Sequence, residues 1–284
     1  MKTISTVKEM HSVSRQISCS GKKIGLVPTM GYLHEGHLSL IKKSKELCDI
    51  TVVSIFVNPT QFAPTEDFEK YPRDIEHDNK LLKEYNVDYV FIPSLEEIYP
   101  SGYQSYVYVN EISKKFEGEF RPAHFKGVTT VVSILFNCVN PDLAFFGQKD
   151  AQQAAVIKQM VSDLKYDIEI VVCPIVRERD GLAMSSRNVY LSPEERTKAL
   201  TLHKAILYAR KLIEGKEMDP QKVIGNMKVI IGEEKSIKLD YVGIVNTYGF
   251  READLIEEGN EYYILVAARV GNTRLIDNEL VRLQ

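Results

Sequence analysis

The chain has 284 residues, with 36 Lys and Arg against 39 Asp and Glu, 44% hydrophobic and 26% charged residues. That balance excludes a disordered or fibrous chain and fits a globular protein of about two domains at roughly 150 residues each, or one large α/β domain. A formal net charge of -3 gives no overall attraction to nucleic acid or to an anionic membrane, so only a local basic cleft could bind a polyanion.

From Lys23 onward, short apolar runs rich in β-formers alternate with longer stretches of helical period, the pattern of βα units around a parallel sheet. Strands are predicted at 24–29, 51–57, 88–92, 142–146 and 168–172. Helices are predicted between them at 37–48, 75–85, 127–139 and 151–164, with Pro141 stopping the third. The strands are nearly continuous in apolar residues, as expected when helices cover both faces, so the fold class is α/β with a doubly wound parallel sheet. Residues 103–109 alternate polar and apolar in a Tyr-rich run, which predicts an extra edge strand, either a dimer contact or a plain solvated edge.

The character changes after Val176, where the polar run Arg177-Glu178-Arg179-Asp180-Gly181 interrupts the pattern. Ser192-Pro193-Glu194-Glu195 is a helix start, since the Ser hydroxyl can cap the Glu195 amide while that carboxylate reaches back and proline suits the first turn. A long helix to about Glu214 and a second at 220–231 precede strands at 238–246, 261–268 and 273–277. Two domains are therefore expected, a Rossmann-like one at 1–176 and a smaller α+β one at 177–284. No internal repeat or low-complexity stretch is evident.

Cys19, Cys48, Cys138 and Cys173 form no CxxC pair, which excludes a zinc ribbon or thioredoxin motif. The first residues lack the apolar core of a signal peptide, and no run approaches the roughly 18 apolar residues of a spanning helix. A cytoplasmic protein with reduced thiols and neither membrane nor nucleic acid as a partner is expected.

The first predicted strand runs into Pro28-Thr29-Met30-Gly31-Tyr32-Leu33-His34-Glu35-Gly36-His37 and then a helix. Ligands of open α/β sheets bind beyond the carboxyl ends of strands, where this segment lies. Gly31 and Gly36 allow backbone close to a ligand, and the helix start offers amides and a positive dipole end suited to phosphate. His34 and His37 lie one helical turn apart, so both imidazoles can address the same phosphate, or merely cap the helix. The segment is one residue too short for HExxH, and neither a Walker A loop nor GxGxxG follows the strand, which removes the zincin, P-loop and dinucleotide classes.

These ten residues resemble the HxGH signature of the nucleotidylyltransferase superfamily, and in their longer form PTMGxLHxGH they resemble the pantothenate synthetase (pantoate-beta-alanine ligase) family. Further matching segments are Phe56-Val57-Asn58-Pro59-Thr60-Gln61-Phe62, Tyr71-Pro72-Arg73-Asp74, Phe146-Gly147-Gln148-Lys149-Asp150 with Gln152 and Gln153, and Met184-Ser185-Ser186-Arg187-Asn188. They follow the family's order over essentially the whole chain.

The resemblance implies ATP-dependent joining of (R)-pantoate to β-alanine through pantoyl adenylate, releasing AMP and diphosphate, with Mg2+ and with a homodimer as the expected assembly. It places ATP on Met30, Gly31, Tyr32, Leu33, His34, Glu35, Gly36 and His37, with His37 the conventional proton donor. It adds Gly147, Gln148, Lys149, Asp150, Val176, Met184, Ser185, Ser186 and Arg187 to the ATP site. Pantoate falls to Asn58, Gln61 and Gln153, β-alanine to Gln61, and the metal to Asp150. Because adenylation by a carboxylate has no obligatory proton to transfer, charge stabilisation by His34, His37, Lys149, Ser185, Ser186 and Arg187 is the expected contribution. Met184 to Arg187 is the counterpart of the KMSKS loop, with Arg187 where other superfamily members often carry Lys. Taken alone, Lys149-Asp150 reads as an exposed helix start and either glutamine as a solvated loop residue. Arg121 and Lys126 are expected in a substrate channel or on a surface loop.

Overall fold

The computed structural model describes residues 1–64, 66 and 68–283. The chain divides into two compact units, Met1–Gly147 with Val156–Pro174, and Gln148–Ala155 with Ile175–Gln284.

The first unit opens with β1 (Lys2–Ile4) and α1 (Val7–Cys19). Thr6 starts that helix by accepting the Glu9 amide at 3.3 Å, and Met10, Val13 and Ile17 recur on its buried face. Then come β2 (Ile24–Thr29), α2 (Glu35–Leu47), β3 (Ile50–Ile55), α3 (Ile75–Glu84) and β4 (Tyr89–Phe91). The short helices α4 (Leu95–Ile98) and α5 (Glu117–Phe120) lead to α6 (His124–Val139) and β5 (Leu143–Gly147). α7 (Ala151–Leu164) belongs to this unit from Val156 onward and feeds β6 (Glu169–Cys173). α6 ends at Asn140, which adopts the left-handed conformation at φ 46° just before Pro141.

All the pairings in this sheet are parallel, in the order β1-β4-β3-β2-β5-β6. Helices cover both faces, and α2 packs across β2, β3, β5 and β6 while α1 and α6 pack on each other and on β2. The core between them gathers Val27, Leu38, Ile41, Val53, Leu82 and Phe145, all buried. The winding direction reverses between β2 and β5, so the carboxyl ends of those two strands flank the switch point where such sheets bind ligands.

In the second unit, α8 (Pro193–Glu214) begins with the expected reciprocal cap: Ser192 Oγ accepts the Glu195 amide at 3.2 Å and Glu195 returns the bond to the Ser192 amide at 2.9 Å. α9 (Pro220–Gly232) is capped by Asp219. β7 (Ile237–Asn246), β8 (Glu261–Val270) and β9 (Thr273–Arg282) form an antiparallel meander. Leu202, Ile206, Met227, Ile244, Ile264 and Val266 fill the space between helices and sheet. β9 runs five residues beyond the expected 273–277, because the polar pair Asn278-Glu279 still ladders with β8 and the buried Val281 follows it.

The expected edge strand at 103–109 is not formed. Val107 bonds to α6 instead: Thr129 Oγ1 donates to the Val107 carbonyl at 2.7 Å, and the Val107 amide donates to Thr130 Oγ1 at 3.1 Å. Tyr99, Tyr103 and Tyr106 pack edge to face in series.

α6 meets the chain after β3 closely. A Cβ on Gly127 would lie 2.5 Å from the Thr60 carbonyl carbon and oxygen and 2.6 Å from the Gln61 Cα. Gly127→Ala is expected to destabilise the protein by about 1–3 kcal/mol through overpacking against rigid backbone. The measure is a lower urea midpoint with an unchanged m-value; an unmoved midpoint would show that this contact relaxes freely.

Candidate active site

The turn after β2 is held from behind by a buried acid. Asp78 on α3 is fully buried, and its two carboxylate oxygens accept the amides of Tyr32 at 2.9 Å and Leu33 at 2.7 Å. Burial drives its carboxyl above the ordinary Asp value, and the two amide bonds offset that only in part. The turn needs this support because Tyr32 sits at φ 52°. Gly31, at φ 83°, leaves no room for a side chain, since a Cβ would lie 3.0 Å from both Asp78 Oδ2 and Ile55 Cγ2. Thr29 Oγ1 accepts the Gly31 amide at 3.2 Å and donates to the Ser54 carbonyl at 2.8 Å, tying the turn to β3.

His34 and His37 both serve as caps of α2. His34 Nδ1 accepts the Gly36 amide at 3.1 Å, and His37 Nδ1 accepts the His34 amide at 3.4 Å. Their ring centroids lie 4.1 Å apart. A backbone amide is a fixed donor, so each neutral ring carries its proton on Nε2. Capping and ligand binding, which the sequence left as rival readings, are compatible, because the cap itself sets the tautomer that makes Nε2 a donor.

Beyond β3, Asn58 caps a one-turn 3-10 helix at Pro59–Gln61, whose last residue is Gln61. Gln61 Nε2 donates to Met30 Sδ at 3.0 Å, and its Oε1 accepts from Asn58 Nδ2 at 3.1 Å. Asn58 is 1% exposed and saturated: Nδ2 also donates to the Gly127 carbonyl at 3.1 Å, while Oδ1 accepts from Thr60 Oγ1 at 2.9 Å and from Tyr99 Oη at 2.8 Å. The Gln61 carbonyl accepts from His124 Nδ1 at 3.1 Å and from Arg121 Nη2 at 3.5 Å. Arg121 in turn forks onto Glu66 at 2.7 and 2.9 Å. Burial raises the Glu66 carboxyl, but hydrogen bonding and attraction to Arg121 outweigh this and hold it below the ordinary value. Arg121 thus joins the residues under Gln61, whereas Lys126 is exposed and stacks its ammonium 3.9 Å over the Tyr106 ring.

The second unit gathers the remaining expected residues. Gln148–Asp150 form a single 3-10 turn that leads into α7, where Gln153 is half-buried. The Lys149 ammonium lies 3.6 Å from the carboxylate of its neighbour Asp150. Arg177 pairs with Ala183 across a short hairpin, and the Val176 carbonyl accepts the Met184 amide at 3.0 Å. Ser185 then caps a second 3-10 turn, Ser186–Tyr190, by accepting the Arg187 amide at 3.3 Å. The hairpin is anchored by Arg196, which binds Glu178 and Asp180 at 2.7 Å each, and by Asn188, which donates to Glu178 at 2.7 Å.

Asp78 and His124 escaped the sequence reading. A signal for the first existed, because Asp78 sits one turn before the buried Leu82 on the apolar face of α3, where an acid needs a partner. His124 had none, as its role depends on a carbonyl 63 residues away.

Burial, then the nearby Arg121 charge, pushes the His124 imidazole down to about 4. Its folded value lies below the unfolded 6.5, so the unfolded chain takes up the proton first. Stability is complete above about pH 6.5 and is lost as the pH falls towards 4. Going from pH 7 to pH 5 is expected to cost about 2 kcal/mol through this ring, read from urea midpoints. His124→Asn keeps a donor for the Gln61 carbonyl and should flatten that acid limb; an equally steep limb in the variant would remove His124 as its source.

A family model described as pantoate-beta-alanine ligase matches residues 2–280. The pantothenate synthetase of Acetivibrio thermocellus is 52% identical over 283 residues, with 100% of each chain covered. That of Thermotoga petrophila is 51% identical over 281 residues, covering 99% of this chain and 100% of the relative. Among solved structures, the pantothenate synthetase of Thermus thermophilus superposes with a TM-score of 0.92 at 42% identity, covering 98% of this chain and 99% of the other. The pantoate-beta-alanine ligase of Francisella tularensis, complexed with a β,γ ATP and β-alanine, gives 0.81 at 35% identity, covering 99% and 97%. With the full-length match in sequence and in fold, this chain belongs to the pantoate-beta-alanine ligase family, the enzymes that make pantothenate.

Proposed function

We propose that this enzyme works in two displacements on ATP, and that the paired caps of α2 are the feature that carries the reading. The pantoate carboxylate attacks the α-phosphorus, forming pantoyl adenylate and releasing diphosphate. The β-alanine amine then attacks the activated acyl carbon, loses a proton, and AMP departs with the former carboxylate oxygen. Neither step needs a covalent bond to the protein, so catalysis rests on position and on stabilising phosphoryl charge.

His34 and His37 suit that task, because their Nδ1 bonds to backbone amides make Nε2 the donor nitrogen in each ring. They lie at a helix N-terminus, whose dipole adds to the attraction for phosphate. ATP as substrate and β-alanine as co-substrate are supported by the bound molecules of the Francisella tularensis relative. Gln61 is assigned to pantoate and β-alanine, with Gln153 completing the pantoate site. Asn58, its two amide hydrogens already given to Gln61 and Gly127, is assigned to orienting Gln61 rather than to touching the acid. Gly147 to Asp150, Val176 and Met184 to Arg187 are assigned to the nucleotide, with Lys149, Ser185, Ser186 and Arg187 at the phosphates.

Among the described residues no group of three or more His, Cys, Asp or Glu could hold a metal by itself. Mg2+ is usually bound by one or two carboxylates together with substrate phosphates. Asp150, whose carboxylate is 46% exposed, would hold it, and the ion would neutralise charge on the phosphate oxygens. A homodimer working in the cytoplasm completes the reading, and no helix among the described residues is long and apolar enough to cross a membrane.

If the adenylate forms first, exchange of labelled diphosphate into ATP should require pantoate and proceed without β-alanine. Exchange that appears only once β-alanine is added would overturn the two-step order.

His37→Asn retains an acceptor near Nδ1 for the His34 amide but removes the Nε2 donor. It is expected to slow pantoate-dependent exchange by roughly 100 to 1,000-fold, the scale of losing one preorganised donor, while the thermal midpoint stays near that of the parent. Near-normal exchange in this variant would leave His37 as a cap and nothing more.

A further inference from the structure

We propose that Asp277 and Asn278, neighbours on β9, are positioning residues for adenylation: Asn278 fixes the backbone that carries Lys149, and Asp277 fixes the root of the hairpin that carries Met184 to Arg187. The inference rests on the assignment of those two segments to the triphosphate.

Both side chains are buried, at 6% and 2% exposure. Asn278 Nδ2 donates to the Gln148 and Lys149 carbonyls at 2.9 Å each, and its Oδ1 accepts from Gln148 Nε2 at 3.2 Å. Three bonds thus lock a turn too short to hold itself. Only an amide suits this place: a carboxylate would turn acceptors towards two carbonyl acceptors, and a hydroxyl has one hydrogen for two partners.

Asp277 accepts the Arg177 fork at 2.7 and 3.0 Å. The same guanidinium donates to the Gly181 carbonyl at 3.1 Å and to the Asn278 carbonyl at 3.2 Å, so it closes the hairpin and ties it to β9 together. Successive strand residues send side chains to opposite sides, so one dipeptide can grip two separate segments without competition. A displacement of about 1 Å in a phosphate-binding group is enough to cost up to 100-fold in rate, which gives these grips their leverage.

The test is a double-mutant cycle on pantoate-dependent diphosphate exchange in the full-length enzyme, using Asn278→Ala, Lys149→Ala and the double variant. Asn278→Ala should raise the KM for ATP and lower exchange by roughly 10 to 100-fold, with the KM for pantoate within about twofold. In the Lys149→Ala background the same change should cost no more than about threefold, because Asn278 acts through Lys149. If Asn278→Ala does not fold, Asn278→Ser, which keeps one donor on a shorter arm, takes its place in the cycle. Asp277→Asn paired with Arg187→Ala should couple in the same way. Effects that multiply, or that raise the pantoate and ATP KM values alike, would make the pair a plain structural element and overturn the proposal. Normal exchange in Lys149→Ala would instead remove the phosphate assignment of Gln148 to Asp150, a separate failure that the single variant reveals by itself.

Discussion

The two amides that follow β2 have to point inward for the chain to turn where it does, and the Asp78 carboxylate is what receives them. An ionisable side chain with no exposure is costly unless its oxygens are bonded, so α3, the turn and the acid form a mutually dependent set. The left-handed Tyr32 and the side-chain-free Gly31 are tolerated because that set over-determines them. The turn fixes where α2 begins, the start of α2 fixes His34 and His37 as caps, and the caps fix which ring nitrogen carries hydrogen. A chain of steric and hydrogen-bonding constraints thus runs from one buried carboxylate to two imidazole donors.

Arginine has a different place in this molecule. Arg121 is spent on Glu66, Arg177 on Asp277, Arg196 on Glu178 and Asp180, and Arg274 on Asp240, each at 2.7 Å for its shortest bond. Such pairs add little net stability once desolvation is counted, but the planar fork fixes the angle between the segments it joins. Lys149 carries a point charge on a flexible stem, its ammonium 3.6 Å from the carboxylate of its chain neighbour Asp150. The forked arginines fix the segments they join, and Lys149 and Arg187 are the cations we assign to the phosphates.

Strong periodicity made much of the fold legible. Residues 24–29 and 151–164 are read from sequence with the same bounds that β2 and α7 show, since apolar strands and Pro or Gly punctuation leave few alternatives. The first 22 residues yielded no element, although Thr6 with Glu9 and the Met10, Val13, Ile17 spacing carried a readable start for α1. Residues 103–109 misled because the amide and carbonyl of Val107, which a strand would offer to a neighbouring strand, are taken by the Thr130 and Thr129 hydroxyls of α6. The short motifs marked the loops that we assign to substrates, but not which partners hold them: Asp78, His124 and Asn278 act across 45, 63 and 130 residues, separations at which local pattern carries no information.

The grouping of Gln148–Ala155 with the C-terminal unit also has a consequence in time. During synthesis, the Gln148 and Lys149 carbonyls emerge 130 and 129 residues before the Asn278 amide that binds them. At chain growth of roughly 5–20 residues per second, that leaves the segment without its partner for on the order of ten seconds. The strands of the parallel sheet can pair within that interval, since β6 ends at Cys173. The lysine-bearing turn therefore reaches its final shape only when the last strand closes, so a nascent chain can possess its sheet well before it possesses a finished Gln148–Asp150 turn.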